Sequence, residues 1–143
     1  MTLIELMQQC RETNDYQALV DKVPYAQTIG VQCFCAGEEV TFHLPAKESN
    51  IGNPTLPAIH GGVLGGFIEQ SAILFVLMFM EQPRFPKIID LSIDYLSAGL
   101  YQNTYAECRI LRMGRRLANV AVTVWQTKKA QPICTARAHL LLD

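Results

Sequence analysis

The stretch from Gly61 to Met80 carries a single charged side chain, Glu69. A carboxylate in an otherwise apolar helix is costly unless it is paired or functional, because burial disfavours its ionised form. Two readings follow. Glu69 is held by a hydrogen bond or an arginine, or reaches solvent; or it is a general base or nucleophile at a reaction centre. The start of the same stretch, Ile59–His60–Gly61–Gly62, sharpens the second reading. First-turn N–H groups of a helix have no intrahelical partner, and with the helix dipole they bind anions and stabilise developing oxyanions. Glycines there let a ligand approach the backbone. The alternative is that Gly61, Gly62, Gly65 and Gly66 only permit close packing of the helix.

Glu69 lies eight residues after Gly61. At ~1.5 Å rise per residue the two are about 12 Å apart along the axis. An oxyanion donor and a base serving one carbonyl carbon must each reach it within roughly 3 Å or through one water. One helix cannot place both there. A two-fold partner with its helix antiparallel would bring the Glu69 of one chain beside the Gly61 of the other, giving a homodimer with two shared sites.

The elements that must position these residues follow from hydrophobic periodicity. Residues 2–22 read as helical, with Thr2 and Glu5 as a capping box, a break at Asn14–Asp15 and a second short turn before Pro24. Ile29–Cys35 and Val40–Leu44 form a hairpin about Gly37–Glu38. The Asn, Gly and Pro residues of Ala46–Ile59 predict an irregular loop. About 20 helical residues, Gly61–Met80, follow, ended by Pro83 and Pro86. Four period-two segments complete the chain. Their inward residues are Ile89, Leu91, Ile93 and Tyr95; Ala106, Cys108 and Ile110; Ala118, Val120, Val122 and Val124; and Cys134, Ala136, Ala138 and Leu140. A helix apolar nearly all round is buried on most sides. The expected architecture is therefore α+β: an antiparallel sheet of five or six strands wrapped around one long central helix, one domain over residues 1–143 with a helical segment at 1–24.

Composition narrows the partners. Half of the 143 residues are hydrophobic, and 12 Lys+Arg against 13 Asp+Glu give a net charge of −1. That excludes the basic footprint of a general nucleic-acid binder. The longest unbroken apolar run, Ala72–Met80, is far short of the roughly 20 residues that span a bilayer, so no membrane association is expected. Five cysteines without a paired framework, and a start that carries Glu5, Gln8 and Gln9 in place of an apolar leader, predict a cytoplasmic protein with reduced thiols. Cys33-x-Cys35 has no matching second ligand pair, so no metal is expected. His43 and His139 read as surface or satisfied residues.

Taken together, Asn53–Pro54, His60–Gly61–Gly62–Val63, an acid nine residues after the histidine, Ile93–Asp94–Tyr95–Leu96 and Met113–Gly114–Arg115–Arg116–Leu117 resemble the hotdog-fold acyl-CoA thioesterases, particularly the PaaI-like (phenylacetate-pathway) group. The likeness runs from about Pro24 to Leu142. It implies thioester hydrolysis without a cofactor, coenzyme A being part of the substrate. The carbonyl would sit on the Gly61 N–H beside Gly62, aided by Asn53 or His60. Glu69 would activate water or attack directly, and two dimers would join as a homotetramer. Arg112, Arg115 and Arg116 form a solvated turn, or else they, or Lys128 and Lys129, contact coenzyme A phosphates. Glu at position 69 is similar to the 4-hydroxybenzoyl-CoA thioesterase group rather than to the many PaaI-like members with Asp. The Thr which in that group follows the Glu by one turn and orients the water is here Ile73. The third-strand Ser of other relatives has no counterpart in Lys87–Ile89, leaving Gln70, Ser71 and Ser92 as substitutes. A catalytically silent acyl-CoA-binding module is the alternative; dehydratase chemistry on an acyl thioester lacks its usual histidine–aspartate pattern here.

Overall fold

The computed structural model describes residues 1–143. The first helix, α1 (Leu3–Thr13), starts at the expected capping box: the Thr2 hydroxyl accepts from the Glu5 N–H at 3.1 Å, and the Glu5 carboxylate accepts from the Thr2 N–H. Asn14 ends it in the left-handed conformation. A single turn, α2 (Gln17–Val20), follows. The next element departs from the sequence reading. Residues expected to start the first strand instead close a helix, α3 (Pro24–Ile29). Pro24 presets the first helical residue, and Gly30 at φ 94° terminates it. The strand therefore begins later, as β1 (Gln32–Ala36), which pairs with β2 (Glu39–Leu44) about Gly37 at φ 61°.

The segment expected to be wholly irregular contains a 3-10 turn (Glu48–Asn50) and a small two-stranded sheet, β3 (Ile51–Asn53) and β4 (Ala58–Ile59). The central helix, α4, spans Gly61–Leu77 and stops three residues short of Met80. The prolines do not end it. Its last turn tightens first, with the Phe79 and Met80 N–H groups donating to the Val76 and Leu77 carbonyls. The Arg11 guanidinium caps the exit by donating to the Met78 and Met80 carbonyls at 3.2 and 2.7 Å.

Four strands complete the chain: β5 (Lys87–Tyr95), β6 (Thr104–Met113), β7 (Leu117–Trp125) and β8 (Cys134–Leu141). The six-stranded sheet runs β1-β2-β6-β7-β8-β5, and every neighbour is antiparallel. The α4 helix packs against β2, β5, β6, β7 and β8. The predicted inward faces of β7 and β8 are buried throughout. On β5 the phase differs. A register shift between Ile88 and Asp90 turns Ile88 inward and leaves Ile89 55% exposed, and Tyr95 is also exposed. No helix is long and apolar enough to cross a membrane.

Candidate active site

The α4 entrance is built around His60. Its N–H donates to the Asn50 carbonyl at 2.8 Å, and its own carbonyl accepts from Val63 and Leu64. Its Nδ1 accepts the Gly62 N–H at 2.9 Å, so the imidazole is the side-chain cap of the helix. A Cβ on Gly62 would lie 2.9 Å from that ring, and one on Gly52 would lie 2.7 Å from the His60 Cα. Both glycines are therefore needed for the histidine to sit where it does. With Gly62, Val63 and Leu64 all engaged, the Gly61 N–H is the one donor of the first turn that remains free. On its other side, the Gly61 carbonyl accepts the Tyr95 hydroxyl at 2.8 Å. Burial raises the Tyr95 phenol above its ordinary range, with a smaller push from Cys134, which keeps the hydroxyl proton on as the donor. Beside this turn a groove of about 380 Å³ is lined by Ile59, Gly61, Leu64, Tyr95, Leu96 and Gly99, among others. It is mostly apolar and has Gly61 in its wall, so it can receive an apolar chain ending in a polarised carbonyl.

The thioesterase superfamily model matches residues 56–133, from the turn before β4 to the start of β8. This chain belongs to the thioesterase superfamily. Over 97% of its length it is 34% identical to a crystallised protein from Chromobacterium violaceum, 97% of which is covered, with a TM-score of 0.78. The hotdog architecture is shared at lower identity. A phenylacetic acid degradation-related protein from Ralstonia eutropha is 21% identical over 84% of this chain and 91% of its own, with a TM-score of 0.73. A Bacillus halodurans protein crystallised with CoA is 12% identical over 97% and 91%, with a TM-score of 0.77. No curated protein matches.

Within this superfamily member, the candidate residues divide into three places. His60, Gly61 and Gly62 share the α4 entrance, although the Gly62 N–H is consumed by the histidine. Asn53 ends β3, the strand on which His60 rests; its Oδ1 is taken by the Thr55 N–H and hydroxyl. Glu69 is half-buried two turns along α4, in a regular helix that keeps it about 12 Å from Gly61. It takes part in no ion pair or hydrogen bond, so the reading in which an arginine holds it does not apply. Arg115 and Arg116 lie elsewhere. Arg115 lines a groove with Phe79, Met80 and Gln82 at the far end of α4, about 25 Å from its entrance. Arg116 pairs with Asp143 at the surface.

Two of the three expected water-orienting substitutes face away from Glu69. Ser71 is fully buried, about 200° round the helix, with its hydroxyl unpartnered. Ser92 is exposed on the outer face of β5, opposite Arg137. Gln70 is buried on the neighbouring flank. Among the remaining candidates, His43 is bonded to Gln32 and stacked on Tyr105, and His139 faces Asp90 at 3.4 Å. Tyr95 was visible in the sequence only as part of a strand motif. Its contact with Gly61 depends on how β5 crosses α4, which no local pattern encodes.

Proposed function

We propose that this chain hydrolyses acyl-CoA thioesters to the free acid and coenzyme A. The observation that carries the reading is the free Gly61 N–H at the mouth of an apolar groove, in a chain whose family is that of the thioesterases. The thioester carbonyl accepts from Gly61, with the helix dipole favouring the oxyanion of the tetrahedral intermediate. The His60 ring is fixed through Nδ1, which leaves its Nε2 free, and the amide end of Asn53 is unengaged. Glu69 takes the proton from the attacking water. No step calls for a metal or redox group.

The site is shared between two chains. Gly61 and Glu69 of one helix are too far apart for one carbonyl, and two further features favour a two-fold pair. The outer edge of β5 is unpaired in the sheet, and Ile89, Tyr95 and Leu96 stand exposed along it. An antiparallel pair of α4 helices would also bring the Arg115 end of one chain to the Gly61 end of the other, where coenzyme A phosphates need cations. The CoA-bound Bacillus halodurans relative agrees with a coenzyme A ester as substrate. A tetramer would join two such dimers, and the reading as a single cytoplasmic domain belongs to the same proposal.

The missing hydroxyl at Ile73 favours, as a second reading, a module that binds acyl-CoA without cleaving it. Release of free thiol from a panel of acyl-CoA esters, with Glu69→Gln as control, separates the two. Binding without release would overturn the hydrolase.

A further inference from the structure

Tyr25, the second residue of α3, lies on the α4 face that carries Glu69. A Cβ built on Gly66 would come within 2.9 Å of the Tyr25 Cζ, within 2.7 Å of its Cε2, and closer still to its Oη. The phenol oxygen thus stands almost where the side chain of residue 66 would begin. This accounts for a glycine in a helix interior, where alanine would be more favourable by propensity alone. Glu69 is three residues on, and Cβ positions so spaced are ~5–6 Å apart on the same surface. Helical side chains lean back over the preceding turn, which points the Glu69 carboxylate toward the phenol.

Neither group is otherwise occupied. The Tyr95 hydroxyl is committed to Gly61, but the Tyr25 hydroxyl has no partner in the chain, and Tyr25 is 43% exposed. Both groups reach solvent, so a water can enter between them. The other hydroxyls the sequence offered do not serve: residue 73 is Ile, Ser71 faces the core and Ser92 the far side of the sheet.

We propose that Tyr25 is a positioning residue for the hydrolytic water, reaching across from α3 to supply the hydroxyl that α4 lacks beside Glu69. The inference rests on Glu69 being the base of the proposed hydrolysis. The Tyr25 oxygen accepts one O–H of the water while the Glu69 carboxylate accepts the other. As the water oxygen bonds to the thioester carbon, its proton passes to Glu69. When the tetrahedral intermediate collapses, the C–S bond breaks and the departing thiolate takes that proton, leaving acid and thiol. Tyr25 keeps its own proton throughout.

The test is steady-state hydrolysis of an acyl-CoA series by the full chain, with Tyr25→Phe and Gly66→Ala beside the wild type and all three melted to confirm folding. Tyr25→Phe keeps the ring and removes only the oxygen, and kcat should fall about tenfold with KM within twofold. Gly66→Ala pushes the hydroxyl off its place and should lower kcat similarly. A general loosening of α3 would instead raise KM and lower the melting temperature together. Folded Tyr25→Phe with wild-type kcat overturns the proposal while leaving the hydrolase standing. Wild-type protein that releases no thiol from any ester removes the hydrolase itself, and the role of Tyr25 with it.

Discussion

The Tyr95 hydroxyl donates to the Gly61 carbonyl at 2.8 Å, tying the edge strand β5 to the first turn of α4. The bond is made on the far side of the same residue whose N–H is free. It therefore fixes the direction in which that N–H points without competing for it. A neutral hydrogen bond of this kind contributes about 1 kcal/mol net, equivalent to roughly fivefold in a rate or equilibrium constant. Tyr95→Phe should accordingly lose about 1 kcal/mol in urea denaturation and, because the loosened turn aims the N–H less well, lower kcat/KM by about three- to tenfold. An unchanged kcat/KM would mean that the turn is held by its own backbone alone.

The His60 cap predicts a stability effect separate from catalysis. Loss of an N-terminal cap typically costs ~1 kcal/mol. His60→Ala removes the acceptor of the Gly62 N–H, and Gly62→Ala drives the ring away through a 2.9 Å clash. Both variants should lose about 1 kcal/mol in urea denaturation. The double variant should lose little more than either, because both break one interaction. Additive losses would show that the cap is not their common cause.

The long helix, the strand pattern and the Gly61–Glu69 spacing were legible in the sequence because each is a local periodicity read over many residues. The turn from β6 to β7 and the inward faces of β7 and β8 fall where alternation puts them. What failed was short or tertiary. Helix α3 is six residues long, too few to set a helical period, although Pro24 at its start and Gly30 just past its end mark it. The end of α4 was misplaced because apolar residues run on to Met80, while the carbonyls just past the helix, of Met78 and Met80, accept from Arg11, distant in sequence. The phase of β5 shifted at a bulge that alternation cannot register. In the site, residue types were readable but their commitments were not: the Gly62 N–H is spent on His60, and Tyr25 meets Gly66 only because α3 folds onto α4.

The cysteines give a pH prediction. Burial pushes the Cys134 thiol up to about 11, and burial also raises Cys10, Cys33, Cys35 and Cys108. The folded state therefore holds these protons more tightly than the unfolded chain, whose thiols ionise near the ordinary value of about 9. The associated stability is fully present below about pH 9 and is lost as pH rises toward 11. Urea midpoints should fall between about pH 9 and pH 11, and fall less in Cys134→Ala, whose core no longer contains that group. A midpoint that holds level across this range in the wild type would contradict the burial-driven shifts. Alkylation of the native protein near neutral pH should be slow for the same reason, since the thiolate is the reactive form.

Removal of the base is the direct test of Glu69. Glu69→Gln keeps the shape and loses the proton acceptor, so kcat should fall by at least ~10²-fold while KM changes little. Because Glu69 is half-buried and free of any ion pair, the substitution leaves no unpaired partner behind, and the fold should be retained. Near-wild-type turnover by the folded variant would remove Glu69 from the chemistry and bring the binding module forward.

The shared site can be tested by mixing two inactive proteins. Gly61→Pro deletes the free N–H at the first helical position, where proline fits the helix. The nearest neighbours of an added Cβ there are Tyr95 atoms at 3.8–3.9 Å, which is ordinary contact. In a two-fold dimer each site takes Gly61 from one chain and Glu69 from the other. A mixed dimer of Gly61→Pro and Glu69→Gln chains then has one site with both defects and one with neither. If the chains exchange freely, half of the dimers are mixed, and each carries one of two sites intact. Equal mixtures refolded together should recover about a quarter of the wild-type activity. Each protein refolded alone should stay near background. A mixture as inactive as its parts, with chain exchange verified by differently tagged subunits, would place Gly61 and Glu69 in separate roles; a monomer that sediments as such and hydrolyses acyl-CoA would do the same.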